Sequence, residues 1–243
     1  MKAIETKDLT KRYKNITALE GLDLTIEQGE MMALLGVNGA GKTTAIKLLS
    51  CLATPTEGEA WLCGHSILTD SEKVKRVIGV SPQETAVAKK LSVRENLRFM
   101  AEVHGANKQE VAQRVENMIE RMGLEKVAAQ RAGTLSGGWQ RRLSIAMALI
   151  SEPEILFLDE PTLGLDVLAR HELWEQIRAL KGKTTVILTT HYLEEAESLC
   201  DRIAILAAGK LVTVGTADEI KKLAGKESFE EAFVTLCAGG GTR

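Results

Sequence analysis

The sequence has no apolar run long enough to cross a membrane. A spanning helix needs about 18 consecutive apolar residues, whereas the best run extends only from Ile145 to Ile150. The first residues, beginning at Met1, also lack the apolar core of a signal peptide. We therefore expect a soluble, cytoplasmic chain whose association with a membrane depends entirely on a partner.

A basic surplus and paired cysteines are missing as well. The 31 Lys and Arg residues are balanced by 33 Asp and Glu residues, for a formal net charge of −2. Proteins that bind nucleic-acid phosphates usually carry a basic surplus, so we expect no nucleic-acid partner. A zinc ribbon and a disulfide scaffold are disfavoured because no C-x-x-C pair occurs. The four cysteines are scattered and are Cys51, Cys63, Cys200 and Cys237.

The remaining composition is that of a globular protein with alternating element types. The 243 residues are 44% hydrophobic and 26% charged, enough for one large or two small domains. Short apolar runs alternate with helical patterns, which indicates an α/β fold with a mostly parallel sheet. Residues 3–9 and 22–26 instead alternate like strands of a partly exposed antiparallel sheet. Further strands are predicted at 31–35, 60–63, 77–80, 155–158 and 185–189, with a hairpin over 203–214.

The middle of the chain is predicted to be helical. Residues 91–150 contain no strand-like run, and Ser92 with Glu95 forms a capping-box pattern. One helical face there carries apolar residues that we expect to face the core, namely Val111, Val115, Met118, Ile119 and Met122. We predict a helical subdomain at about 84–152, inserted in the α/β core, and a flexible tail at 238–243. Within it, residues 84–91 are expected to be a linking loop that exposes Val87.

A glycine loop follows the strand at 31–35. Residues 36–43 read GVNGAGKT, which matches the phosphate-loop pattern G-x-x-x-x-G-K-[ST]. The glycines let backbone N–H groups surround phosphate oxygens, and the N-terminus of the next helix faces the same anion. Lys42 would reach the β- and γ-phosphates, and the Thr43 hydroxyl would ligate Mg²⁺. We predict an ATP site made of Gly36, Val37, Asn38, Gly39, Ala40, Gly41, Lys42, Thr43 and Thr44.

Two carboxylates end the apolar strand at 155–158. Such a pair is costly at the tip of a buried strand unless it holds a cation or transfers protons. Asp159 would join the Mg²⁺ shell, and Glu160 would orient and deprotonate the attacking water. Because Pro161 follows, we expect Glu160 to have an extended backbone.

A second helix N-terminus suited to bind phosphate is predicted after residue 135. Ser136 is a suitable N-cap, and Gly137 and Gly138 leave N–H groups open to an anion. A chain with one phosphate loop then has two such helix ends. We expect the second to close over a nucleotide that another copy holds.

Together these motifs resemble the nucleotide-binding subunit of ABC transporters over essentially the whole chain. Gln83, the Gly-Leu-Asp turn at 164–166 and His191 match the same family. The resemblance implies a P-loop NTPase of ABC type, with a mixed, mostly parallel sheet, an antiparallel β subdomain and a helical subdomain. It also implies that Tyr13 stacks on adenine, that Gln83 reaches the metal and the attacking water, and that His191 contacts the γ-phosphate. One departure is Trp139, where the family usually has Gln.

The function implied is ATP hydrolysis that energises transport. Two ATP-binding chains, identical or different, would work with a separate transmembrane permease at the inner face of the cell membrane. Residues 89–97 and 228–233 are similar to exporter-type members. The alternative is a soluble ABC-type ATPase of an assembly system, such as iron–sulfur cluster scaffolding. A clamp that binds ATP and hardly hydrolyses it is disfavoured, because Glu160 and His191 are both present.

Overall fold

The computed structural model describes residues 1–105 and 107–239 of the chain, so most of the predicted tail lies outside the described residues. The strands are β1 (Lys2–Tyr13), β2 (Ile16–Glu27), β3 (Met31–Leu35), β4 (Glu57–Leu62), β5 (His65–Ser66), β6 (Ile78–Ser81), β7 (Ile155–Asp159), β8 (Thr185–Thr190), β9 (Arg202–Ala207) and β10 (Lys210–Gly215). The α-helices are α1 (Lys42–Leu49), α2 (Ser71–Val77), α3 (Val93–Val103), α4 (Lys108–Arg121), α5 (Gly137–Leu149), α6 (Val167–Arg178), α7 (Leu193–Leu199), α8 (Ala217–Ala224) and α9 (Phe229–Gly239).

The strands form two sheets. A six-stranded sheet has the order β10-β9-β3-β8-β7-β6, and its strands are parallel except β10, which pairs antiparallel with β9. A four-stranded antiparallel sheet has the order β2-β1-β4-β5. Every residue of β3, β7 and β8 is buried, as expected for parallel strands covered on both faces. The predicted fold class is confirmed.

The six-stranded sheet separates two hydrophobic cores. Side chains alternate across a strand, so Met31, Ala33 and Leu35 of β3 pack into a core shared with α3 to α7. Met32 and Leu34 face the other way, into a core shared with α1 and the antiparallel sheet. The carboxyl ends of β3, β7 and β8 therefore emerge between two packed layers, where their following loops are firmly supported.

The antiparallel strands are longer than predicted because a bulge interrupts their alternation. Asp8 has φ 50° and Gly21 has φ 57°, and the pairing of β1 with β2 shifts between Thr6 and Leu9. Such a bulge resets which residues face inward, so the apolar–polar pattern stops at residue 9 although the strand continues to Tyr13. The backbone N–H of Asp8 donates to Asp23 Oδ1 at 2.7 Å, which stabilises the bulge.

The helices of the middle segment match the sequence pattern. Ser92 and Glu95 make the reciprocal bonds of a capping box at the start of α3. The apolar stripe of α4 is buried in the core with the sheet. The subdomain limits of 84–152 stay a prediction.

The expected exposure of Val87 is wrong. Val87 is buried in the core, 9% exposed, because its loop is tied down by Asn96. The Asn96 side chain accepts from the backbone N–H of Ala88 at 2.8 Å and donates to the Ser92 carbonyl at 2.9 Å. A side chain on α3 thus fixes a loop that has no helix or strand of its own.

Within 1–105 and 107–239, no helix combines the length and apolar character that crossing a bilayer requires.

Candidate active site

The phosphate loop, residues 36–43, joins the end of β3 to the start of α1. Gly39 and Gly41 have φ values of 81° and 102°, a backbone conformation that favours glycine. A Cβ on Gly41 would lie 2.6 Å from the Ala18 carbonyl oxygen, so only glycine fits this approach to β2. The N-terminus of α1 has no side-chain cap and no acidic residue in its first turn. Its free N–H groups therefore suit an anion.

Lys42 is folded back onto its own loop. Its Nζ donates to the Gly36 carbonyl at 2.7 Å and to the Val37 carbonyl at 3.3 Å, and it lies 3.8 Å from Glu160 Oε1. The side chain is buried, and these oxygens compensate a charge that burial would otherwise penalise. Lys42 therefore both shapes the loop and brings a cation to the carboxylate end of β7.

Asp159 and Glu160 are held together by Thr189 of β8. The Thr189 hydroxyl donates to Asp159 Oδ1 and accepts from the Glu160 backbone N–H at 3.0 Å. Asp159 Oδ1 also lies 3.4 Å from Thr43 Oγ1, the first-turn hydroxyl of α1. One hydroxyl thus positions both carboxylates against the phosphate loop.

The expected extended backbone at Glu160 is wrong. Glu160 has φ 50°, in the left-handed region that residues with a Cβ rarely occupy. Its N–H remains bonded to β8 while the chain turns away toward Pro161. Strained backbone of this kind persists where the surrounding structure fixes it, often at functional sites.

His191 lies on the far side of Glu160 from Lys42. Its Nδ1 is 2.7 Å from Glu160 Oε2, and its ring packs on Tyr192 with 4.2 Å between ring centroids. Glu160 is therefore bracketed, with Oε1 toward the ammonium group of Lys42 and Oε2 toward the imidazole. The structure brings together these three residues, which lie far apart in sequence.

An open pocket of about 360 Å³ lies over the phosphate loop. It contains Gln83 and Glu160 together with residues 38–44 of the loop and helix, and β2 supplies one wall. The wall residues are Ile16, Thr17 and Ala18. Tyr13 is outside this lining, but it pairs with Ile16 across the turn between β1 and β2, and its ring is half-exposed. Most of the predicted nucleotide residues thus share one pocket, with Tyr13 beside its wall.

The signature segment, residues 135–138, is separate from that pocket. Ser136 has the backbone geometry of an N-cap on α5, yet its side chain makes no capping hydrogen bond. The first turn of α5 also has no acidic residue. The Ser136 hydroxyl and the first N–H groups of α5 therefore remain available to bind an anion. Because the segment lies outside this chain's own pocket, that anion would come from elsewhere.

Trp139 has a packing role. The Arg142 guanidinium stacks over its ring at 4.6 Å, and Arg142 Nη2 is 2.8 Å from Glu172 Oε2. Trp139 is partly buried against the core. Trp139, which stands where the family usually has Gln, therefore covers the ion pair that joins α5 to α6.

Arg141 is a positioning residue that sequence reasoning missed. It is buried, and Nη1 donates to the Pro82 carbonyl at 2.7 Å while Nη2 donates to the Gln83 carbonyl. Burial lowers the pKa of Arg141, and the nearby charges of Asp159 and Glu160 oppose that shift. A signal was present, since most of α5 after residue 142 is apolar and an arginine buried with that segment needs a partner.

The comparisons with known proteins agree with this geometry. A family profile described as "ABC transporter" matches residues 19–163. The chain is 41% identical to the daunorubicin resistance ATP-binding protein DrrA3 of Streptomyces coeruleorubidus, over 94% of this chain and 72% of that protein. It is 39% identical to the Nod factor export ATP-binding protein I of Cupriavidus metallidurans, over 89% and 72%. It is 37% identical to the probable multidrug ABC transporter ATP-binding protein YbhF of Escherichia coli, of which it spans 41%.

Solved structures give the same result. An ATP-binding subunit of an ABC transporter superposes with a TM-score of 0.86 at 33% identity, covering 96% of this chain and 99% of that one. A dimeric post-hydrolysis ATP-binding cassette with ADP and Pi superposes with a TM-score of 0.79 at 28% identity, covering 88% and 98%. The chain therefore belongs to the ABC transporter family, as one of its ATP-binding and ATP-hydrolysing subunits.

Proposed function

We propose that this chain powers an exporter by ATP-driven closure of two ATP-binding chains against a separate permease. The observation that carries the proposal is the bracketed carboxylate, Glu160, at the edge of the phosphate-loop pocket. Lys42 and His191 hold its two oxygens, at 3.8 and 2.7 Å. A carboxylate fixed in this way beside a phosphate site is suited to accept a proton from water that attacks the γ-phosphate.

The phosphates of ATP would lie on the phosphate loop. Residues 38–44 line the pocket and supply the free N–H groups at the start of α1. The Lys42 ammonium group has a third donor beyond its two carbonyl partners, and we assign it to the β- and γ-phosphates. Adenine would stack on the half-exposed ring of Tyr13, beside the pocket wall.

The side chains of Thr43 and Asp159 fit Mg²⁺. Each presents an oxygen atom that can ligate the ion, and these two atoms are 3.4 Å apart. The Gln83 side chain lines the same pocket as Thr43. The described residues form no group of three or more His, Cys, Asp and Glu that could hold a metal alone. That suits Mg²⁺, which usually takes one or two carboxylates together with phosphates and waters. When bound, the ion would neutralise charge on the phosphates.

Glu160 would act as general base and His191 as its positioning partner and γ-phosphate contact. The contact with His191 limits rotation of the Glu160 carboxylate, which lines the phosphate-loop pocket. Gln83 lines the same pocket and would orient the water. These roles need no movement of the strands, because Thr189 already fixes the position of Glu160.

A second chain would complete the site. The signature segment does not reach its own pocket, although Ser136 and the N-terminus of α5 are free to bind an anion. Exposed apolar side chains lie beside the turn at 164–166, with Val167 63% and Leu168 77% exposed. Such exposure favours an interaction surface. Binding of ATP between the two chains would close the pair, and hydrolysis would reopen it.

The direction of transport is inferred from the relatives. Those named above are a daunorubicin resistance protein, a probable multidrug transporter protein and a Nod factor export protein. We infer export of an organic molecule by a separate permease, with this chain at the inner face of the membrane. A soluble assembly ATPase is not favoured, because these names all describe resistance, transport or export.

An apolar groove of about 320 Å³ is the proposed permease site. It adjoins Gln83 through Pro82 and is lined by residues of β6, α3 and α5, with Leu52 on its edge. Phe99 and Val103 of the neighbouring helix α3 are exposed. A cytosolic helix of the permease would place its apolar face here, against the segment that holds Gln83.

We expect Leu52→Glu to uncouple transport from ATP hydrolysis. Leu52 is 69% exposed, so the change leaves the fold and the basal ATPase activity of the isolated chain intact. Docking would bury an unpaired carboxylate, which costs several kcal/mol, so transport falls at least roughly tenfold. The assay is ATP-dependent uptake of daunorubicin into inverted vesicles that hold the chain and its permease.

The matched control for Leu52→Glu is Leu223→Glu. Leu223 is similarly exposed, at 64%, but lies on α8 outside the groove. The control should transport at the parent rate. Equal transport by the Leu52→Glu and parent proteins would remove the groove as the docking site, and ATP-dependent movement of the drug out of the inverted vesicles would contradict the proposed export.

A further inference from the structure

A buried polar cluster lies behind the Glu160–His191 pair. We call it the Glu195 cluster, and it consists of Thr162, Trp174, Thr190 and Glu195. Glu195 is on α7 and is 0% exposed, and the other three side chains are also buried. The ATPase roles proposed above use none of these four residues, although a fully buried glutamate is rare without a specific partner.

Glu195 contacts both chain segments that carry the proposed catalytic residues. Thr162 follows Glu160 by two positions, and Thr190 directly precedes His191. Both hydroxyl groups face the Glu195 carboxyl group. The indole N–H of Trp174 donates to Glu195 Oε1 at 3.1 Å, which anchors the carboxyl group to α6. One side chain therefore touches the turn after β7 and the end of β8.

The cluster favours a neutral carboxylic acid. Glu195 Oε2 and Thr162 Oγ1 are buried, and neither has a hydrogen-bond partner among the described residues. Burial is the largest effect and raises the pKa of Glu195; the polar groups of Thr190, Thr162 and Trp174 oppose this rise, and the charge of Glu160 adds to it. Two other ionisable groups, Arg141 and Cys200, interact electrostatically with Glu195. The terminal nitrogens of Arg141 are bonded to backbone carbonyls instead of to the Glu195 carboxyl group. A proton on Glu195 removes a charge that complete burial would penalise and makes the carboxyl group a hydrogen-bond donor.

We propose that Glu195, as a neutral acid, is a positioning residue that sets the distance between Glu160 and His191. The proposal rests on the proposed roles of that pair in ATP hydrolysis. The Glu160–His191 contact of 2.7 Å joins two loops, and loops move more than the elements they connect. Because its carboxyl group lies beside Thr162 and Thr190 and is anchored by Trp174, Glu195 holds the general base and its partner in register.

Two variants test whether Glu195 acts as a neutral hydrogen-bonding group. Glu195→Gln keeps the shape, one acceptor for Trp174 and a donor for the threonines, so kcat stays within about twofold of the parent. Glu195→Leu fills the same space without hydrogen bonds, so kcat falls roughly tenfold through misplacement of the base. The KM for ATP stays within about twofold in both, because the phosphate-loop pocket is unchanged.

The melting temperature separates positioning from stability. Glu195→Leu leaves the buried indole N–H of Trp174 without its acceptor, so this variant should melt below the parent, and kcat is measured well below both melting temperatures. Thr162→Val removes one hydroxyl at nearly constant volume and should lower kcat with unchanged KM, even where the leucine variant fails to fold. A tenfold loss in Glu195→Gln would show that the charged form is needed and would overturn the proposal. Parent activity in Glu195→Leu or in Thr162→Val would do the same.

Failure of this inference differs from failure of the proposed function. If Glu160→Gln retains parental turnover, then the catalytic assignment of Glu160 is wrong. If Glu160→Gln is inactive but Glu195→Leu is fully active, then the general base stands and Glu195 has no positioning role.

Discussion

Replacing Glu160 by Gln should lower ATP turnover by roughly 10²–10⁴-fold, because the amide cannot accept the proton of the attacking water. The change keeps the side-chain volume and leaves an oxygen for the hydrogen bond to His191, which is 2.7 Å away in the parent. ATP binding should persist, since Lys42 and the loop glycines remain. Removing the negative charge 3.8 Å from Lys42 also frees that ammonium group for the phosphates.

The trapped state gives a second readout of the same variant. With hydrolysis blocked, ATP should hold two chains together, and light scattering should show a doubled mass. Glu194→Gln is the matched control, because Glu194 is an exposed carboxylate near the site on α7. That control should hydrolyse ATP at the parent rate and stay unpaired after turnover. Parental hydrolysis by the Glu160→Gln protein would eliminate Glu160 as the base.

Lys42→Ala should weaken both binding and turnover. The variant loses the cation at the phosphates and also the two hydrogen bonds that hold Gly36 and Val37 in the loop. A hydrogen bond to a charged group contributes about 1.5–3 kcal/mol, so ATP affinity should fall roughly 10–100-fold. Loss of a donor to the transition state should lower kcat by a further 10²–10³-fold, roughly the effect of deleting one oxyanion donor.

The control for this variant lies on the same helix. Lys47→Ala removes an exposed lysine from the last turn of α1 and should change neither quantity. Equilibrium binding of a fluorescent ATP analogue measures affinity, and phosphate release measures turnover. If the Lys42→Ala and Lys47→Ala proteins bind nucleotide equally well, the phosphate-loop assignment is incorrect.

Motifs made of neighbouring residues were predictable from sequence. The phosphate loop and the signature segment each lie within ten residues, so their spacing reflects one turn and one helix start. The buried strands were also predictable, because each contains an apolar run, at residues 31–35, 155–158 and 186–188. The ends of the antiparallel strands were harder to predict, because the bulge at Asp8 breaks the apolar–polar alternation on which the prediction depends.

Residues that depend on tertiary contacts were not predictable. The left-handed backbone of Glu160 requires the hydrogen bonds from β8, and the burial of Val87 requires Asn96. Glu195 sits among exposed acidic residues in sequence, and only the packing of α7 shows that it alone points inward. The local sequence does not identify these partners, because other elements of the fold supply them.

The bonds from Arg141 to Pro82 and Gln83 have a thermodynamic consequence for a pair of these chains. Ser144 adds a second connection to the same segment, 3.0 Å from Ser81. In the proposed pair, helix α5 would offer its N-terminus to the partner's nucleotide, while its side chains hold the Gln83 backbone at the chain's own site. A shift of α5 on closure would then move Gln83 with it, so binding of one ATP molecule would be coupled to binding of the other. Linkage makes that coupling reciprocal, and binding at either site changes affinity at the other by the same factor.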